Sequence, residues 1–228
     1  TITVTASNNF TEDAAGNAVG SVVASYTTAD ADGDSVTVTL SDTTNYALGT
    51  GADAGKVLLT AAGLALVNSG QDLPSFTLTP NDGKVNGTAA TIDPSVTPVN
   101  DAPSGTSTTI TVLEDGSKTF AASDFGFSDA SGESNTLQAV IISTLPTAGT
   151  LKLDGVAVTK DQSIAVADLG TLVFAPAANA NGTAYATIGF KVQDNGGTVN
   201  GGADTSAEAT LSIDVTAVND APTITVTA

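Results

Sequence analysis

The sequence predicts an all-β chain built as two antiparallel β-sandwiches in tandem, and three observations lead there. The dominant hydropathy period is two, as in a half-buried strand. The five residues Val-Asn-Asp-Ala-Pro at Val99–Pro103 return at Val218–Pro222, 119 positions on. No long segment of helical period interrupts the alternation.

Thr1–Thr5, Ser35–Leu40 and Ser75–Thr79 alternate apolar with hydroxyl residues, and so do Thr187–Val192 and Thr210–Val215. Their β-branched content, broken by Gly, Asn and Asp clusters, marks antiparallel strands separated by turns. Two Ala/Leu stretches, Thr60–Val67 and Ser163–Thr171, read as single helical turns. The opening Thr1–Ala6, TITVTA, is repeated letter for letter at Thr223–Ala228, and TITV stands again at Thr109–Val112. A period of this length is too long for a solenoid turn and suits whole domains in series. The expected domains are 1–101, a longer 102–220, and 221–228 as the first strand of a following repeat, in a slice of a longer array.

Composition removes several function classes. There are 24 acidic residues, 20 of them Asp, against 6 lysines, with no arginine or histidine and a net charge of −18. Such a surface repels nucleic acid and anionic lipid. Asp suits turns and oxygen-rich cation sites better than helix faces. The 41% of apolar residues argues against a disordered acidic chain. Absence of cysteine removes disulfides, thiol nucleophiles and thiolate metal sites together. No apolar run approaches the roughly 20 residues of a membrane-spanning helix.

The two units align at landmarks. Phe76–Gly83 matches Phe190–Gly196 as a late strand running into a turn, and Phe10–Asp13 matches Leu113–Asp115 after the first strand. Asp30–Asp34, DADGD, corresponds more loosely to Ser128–Glu133. Together with the VNDAP segments, these landmarks resemble the cadherin-like tandem repeats of large RTX-type surface adhesins of Gram-negative bacteria. The second unit carries the resemblance in Leu145–Leu151 and Leu172–Gly182, the first in Leu58–Gly63 and the DADGD loop. The resemblance implies Ig/cadherin-like sandwiches arranged end to end and stiffened by Ca²⁺. It also implies an extracellular, cell-surface spacer that holds an adhesive tip away from the cell for adhesion or biofilm formation. Its partners would be neighbouring repeats of the same chain, with no nucleic acid, no membrane insertion and a monomeric state.

The residues can be placed against that implication. In a seven-strand sandwich the loops after the second, fourth and sixth strands share one end. Asp30, Asp32, Asp34 and Asp82 then gather at the leading end of the first domain, and Asp129, Glu133 and Asp194 at that of the second. Glu12 and Asp13 follow the first strand and point to the trailing end, where Asn100 and Asp101 of the linker emerge. Glu114, Asp115, Asn219 and Asp220 repeat that arrangement one domain later. A set of hard oxygens without nitrogen or sulfur suits the 6–8-oxygen shell of Ca²⁺ better than the tight octahedron of Mg²⁺. DADGD is not an EF-hand loop, because Ser35 and Ser41 stand where that loop needs Gly and Glu. The remaining aspartates, Asp72 and Asp204 among them, read as turn or surface residues.

Catalysis has little to work with, and the chain is read as no enzyme. There is no His or Cys, no Gly-x-Ser-x-Gly elbow and no Trp to build an apolar acid pocket. The alternative reading is an adhesin module that recognises a glycan or a protein through Ca²⁺-associated loops. The glycine-rich Asp194–Asp204 stretch would be its contact loop, though it reads more simply as a loose hairpin.

Overall fold

The computed structural model describes residues 1–129, 133–222 and 224. The chain divides into two compact units, 1–99 and 100–228. The expected opening strand of a third repeat, at 221–228, lies mostly outside the described residues.

In the first unit the strands are β1 (Ile2–Ser7), β2 (Phe10–Thr11), β3 (Val22–Thr28), β4 (Thr37–Leu40), β5 (Tyr46–Leu48), β6 (Lys56–Leu59), β7 (Phe76–Asn81), β8 (Ala90–Ile92) and β9 (Val96–Thr97). One sheet runs in the order β1-β3-β6-β5 and the facing sheet in the order β4-β7-β8. A two-residue parallel pair, β2 with β9, joins the start of the unit to its end. Strand β7 shows why the alternation works. Phe76, Leu78 and Pro80 turn inward while Thr77, Thr79 and Asn81 stay half-exposed. Pro80 is tolerated because β8 pairs only with Phe76–Leu78; beyond it Pro80 serves as an acceptor, taking Gly87 N–H at 2.8 Å.

The core of this unit holds Val23, Val57, Leu59, Leu78 and Tyr46. The Tyr46 ring packs 4.3 Å from that of Phe76, and its hydroxyl donates to Pro74 O at 2.6 Å. Burial, then the charges of Asp42 and Asp93, raise this phenol well above its ordinary range. The helical turn expected at Thr60–Val67 is α1 (Ala61–Val67), with the Thr60 hydroxyl capping Gly63 N–H.

The second unit contains β10 (Thr108–Leu113), β11 (Lys118–Thr119), β12 (Leu137–Thr144), β13 (Thr150–Leu153), β14 (Val156–Ala157), β15 (Gln162–Ala165), β16 (Leu172–Ala175), β17 (Gly182–Asp194) and β18 (Ala209–Thr216). Its sheets run β10-β18-β17-β12-β15 and β11-β16-β13-β14. Pairing is antiparallel except for β10 with β18, which run parallel from Thr108↔Leu211 to Leu113↔Thr216. Phe120, Phe125, Phe174 and Phe190 fill the space between the sheets, with Phe125 and Phe190 edge to face at 5.1 Å. The stretch Ser163–Thr171 differs from expectation. Its first three residues belong to β15, whose Ile164 is buried, and Val166–Thr171 forms a 3-10 turn. Apolar spacing in so short a run does not separate the two states.

Both units are thus all-β sandwiches, as the period of two required. The antiparallel expectation holds except where the start of a unit meets its last strand, in β2–β9 and β10–β18.

Candidate functional site

The trailing ends of the two sandwiches are built alike. Glu12 follows β2, and its backbone N–H donates to Thr97 O at 3.0 Å. Its carboxylate Oε2 accepts the N–H of Val99 at 2.9 Å while the side chain is only 3% exposed. Glu114 repeats this one unit later. Its N–H donates to Thr216 O at 2.8 Å, and its Oε1 accepts the N–H of Val218 at 2.7 Å. Each glutamate therefore holds the valine that opens a VNDAP segment.

Gly70, at φ +63°, passes so close to Glu12 that a Cβ there would lie 2.5 Å from Oε2. In the second unit Asn181 Nδ2 donates to Glu114 Oε2 at 2.7 Å. That amide, followed by the Val218 N–H, holds the Glu114 carboxyl below its ordinary range. Asp13 and Asp115 are exposed and both left-handed, at φ 56° and 61°. They make the tight turn after each glutamate, and Asp115 Oδ1 also accepts Asn179 N–H at 3.3 Å. Asn219 and Asp220 are exposed, and Asn219 Nδ2 donates only to Asp220 O, at 3.3 Å.

At the leading end of the first unit, the loop after β3 meets the turn after β7. Lys84 Nζ contacts Asp34 Oδ2 at 2.7 Å. Asp30 is spent inside its own loop, where Oδ1 accepts the N–H groups of Asp32 at 2.9 Å and Asp34 at 3.2 Å. Asp82 Oδ1 caps its own turn, and the N–H groups of Val85 and then Lys84 lower its pKa. Asp32 is exposed. These four carboxylates share an end, but local N–H groups and an ammonium take up three of them.

The leading end of the second unit is more enclosed. Asp194, fully buried at the end of β17, accepts Gly196 N–H at 2.8 Å and Asn100 Nδ2 at 3.2 Å. Glu133 accepts the N–H of Asp101 at 3.1 Å. Asp129 Oδ2 accepts Asn135 N–H at 2.9 Å. Its other oxygen, Oδ1, is buried with no hydrogen-bond partner among the described residues. A buried carboxylate oxygen without a donor is costly and fits a site completed by a cation.

Among the described residues no three acidic side chains converge tightly enough to form a metal cage. Asp101, Asp129, Glu133 and Asp194 each offer oxygen alone, the donor chemistry that Ca²⁺ takes.

Several participants were not anticipated. Asn135, Asn181, Gly70 and Gly196 act by shape or by amide donation, and no charge pattern marks them. Asp204, read as a surface residue, accepts Gln193 Nε2 at 3.0 Å and the Thr205 hydroxyl at 2.8 Å, which lower its pKa. Asp72 likewise holds β9, accepting Val96 N–H at 2.9 Å.

Away from the acids, Tyr26, Val38 and Leu48 line an open groove of about 590 Å³ in the first unit, with no carboxylate in its wall.

Comparison with known proteins yields fold relatives only among solved structures. No protein-family profile matches the chain, and no curated protein does. Human mucin-like protocadherin EC1-2 is similar over 96% of this chain and 99% of its own, with TM-score 0.59 and 16% identity. Human protocadherin-24 EC1-2 is similar over 92% and 93%, with TM-score 0.52 and 19% identity. The protocadherin gammaB7 EC3-6 cis-dimer structure gives TM-score 0.55 and 17% identity over 95% of this chain, which spans half of that chain. The fold is cadherin-like.

Proposed function

We propose that the chain is a calcium-stiffened spacer of a bacterial cell-surface adhesin, an extracellular non-enzymatic segment that projects a binding tip for adhesion or biofilm formation. The observation that carries this reading is the repeated glutamate grip, Glu12 on Val99 and Glu114 on Val218. It fixes the start of each VNDAP segment by a buried charged hydrogen bond, as a spacer that must not flex at its linkers requires.

Asp101, Asp129, Glu133 and Asp194 would hold Ca²⁺ at the start of the second unit, where Asp129 Oδ1 is buried without a donor among the described residues. Glu12 and Asp13 belong to the proposed ligand set by sequence position, whereas Asn100, expected as a ligand, has its amide taken up by Asp194, Ala203 and Asn135. Asp30, Asp32, Asp34 and Asp82, and Glu114, Asp115, Asn219 and Asp220, are the proposed counterparts at the other two ends. When bound, Ca²⁺ supplies a divalent charge that cancels carboxylate repulsion; the chain's own residues supply the geometry. Extracellular modules bind calcium with Kd of roughly 10⁻⁴–10⁻³ M, so the segment stiffens after export rather than before it.

The test is small-angle X-ray scattering in millimolar calcium and in excess chelator, with calorimetric titration of calcium. A particle that shortens on average and becomes flexible after chelation supports the spacer. Superimposable profiles, with no calcium heat, reject it and turn attention to a glycan array as the assay of a ligand-binding module.

A further inference from the structure

The glycine-rich stretch Asp194–Asp204, expected as a loose hairpin, is wrapped around one residue, Asn100. Ala203 N–H donates to Asn100 O at 2.7 Å, and Asn100 Nδ2 donates back to Ala203 O at 2.7 Å. The same Nδ2 reaches Asp194, and Asn135 Nδ2 donates to Asn100 Oδ1. Every polar group of the amide is therefore engaged.

Two glycines make the space. A Cβ at Gly196 would fall 1.6 Å from Asn100 Oδ1, and one at Gly202 would fall 2.9 Å from Asn100 O and 3.1 Å from its N and Cβ. Neither glycine is left-handed, and Gly202 has φ −59°. Any residue could adopt those backbone angles, so the missing Cβ serves the fit around Asn100 and not the turn. The loop is braced from behind, where Asp194 N–H donates to Asp204 O at 2.9 Å and Asn195 Oδ1 accepts Thr136 N–H at 2.8 Å.

We propose that residues 194–204 form a socket for Asn100 and that Asn100 is a positioning residue, docking the linker on the second unit before any cation arrives. Docking sets the next residue, because Asp101 N–H meets Glu133. Calcium then binds a linker already in place and does not have to order it. The reason a cation benefits from that order rests on the calcium reading; the docking itself does not.

Amide hydrogen exchange in excess chelator tests the socket, because local opening is read residue by residue. In the native chain the amides of Ala203 and Asp101 are expected to be protected without calcium. In Asn100→Ala, and in Gly196→Ala whose Cβ evicts the side chain, Ala203 and Asp101 should exchange at least about tenfold faster, while core amides of β17 and β18 stay protected and show the unit folded. Apparent calcium affinity of both variants should fall about tenfold, since a binding-competent linker populated a tenth of the time weakens binding by that factor. Free exchange of Ala203 and Asp101 in the chelated native chain overturns the proposal, and so does unchanged protection in Asn100→Ala. Protected amides in a native chain that binds no calcium leave the socket standing and reject the calcium reading alone.

Discussion

Replacing Gly70 by alanine separates backbone strain from a steric link to the glutamate grip. Gly70 sits at φ +63°, and its new Cβ would stand 2.5 Å from Glu12 Oε2 and 3.1 Å from both Glu12 Cδ and Pro98 Cβ. Left-handed backbone costs an L-residue about 1–2 kcal/mol. Displacing Glu12 removes its hydrogen bond to Val99 N–H, and a bond to a charged group contributes about 1.5–3 kcal/mol. The single variant should therefore lose about 2.5–5 kcal/mol.

Glu12→Ala alone should lose about 1.5–3 kcal/mol, but in its background the alanine at 70 meets only Pro98 Cβ, at 3.1 Å, and costs little beyond the strain. The double variant should then lose less than the sum of the singles by about 1.5–3 kcal/mol. The assay is urea unfolding in excess chelator, followed by tyrosine fluorescence in a Tyr185→Phe background, where Tyr26 and Tyr46 report the first unit alone. With urea slopes of about 1–3 kcal/mol/M, a loss near 3 kcal/mol moves the midpoint by about 1–3 M. Additivity within about 0.5 kcal/mol would refute the steric link between Gly70 and the grip.

Acid should loosen the trailing end of the second unit. The Glu114 carboxyl lies below its ordinary value of 4.5 in the folded chain, so its contribution is present above that value and lost as pH falls through the folded pKa. Exchange of the Val218 amide should accelerate in that window, and Glu114→Gln should remove the pH dependence. Tyr46 works in the opposite sense. Its raised pKa means that stability is full below the ordinary value of 10.0 and declines as pH rises beyond it. An ultraviolet titration should accordingly show one tyrosine ionising only as the first unit unfolds. Phe190→Ala, in the middle of the aromatic core, should cost the second unit about 3–5 kcal/mol and leave Tyr46 reporting an unchanged first unit.

The strands and their two-sided patterning were legible because each depends on a local alternation, as β7 shows with Phe76 and Leu78 inward and threonine between. Counting strands puts the DADGD and Asp82 turns at one end, and in the structure Lys84 reaches across to Asp34. What the acids do there was not legible. Lys84 lies 50 residues from Asp34 in sequence, and nothing in DADGD signals that an ammonium will sit on it. The pairing of Glu12–Asp13 with Glu114–Asp115 was visible as a repeat. That both glutamates hold a linker valine was not, since backbone N–H groups leave no mark in a sequence. The glycines of the Asn100 socket misled for a related reason. Glycine usually signals turn freedom, whereas Gly196 and Gly202 provide space for a neighbour.

The parallel pairing of an early strand with the last one sets how each unit meets tension. Pulled from its two ends, the second unit draws β10 and β18 in opposite directions along their length, so six residue pairs from Thr108↔Leu211 to Leu113↔Thr216 are loaded together in shear. In the first unit the same geometry is reduced to Phe10↔Val96 and Thr11↔Thr97, with the Glu12 carboxylate bonded to Val99 just beyond. The two units are thus unequal links. Under a rising load the two-pair clasp, once β1 has parted from β3, is expected to open before the six-pair one.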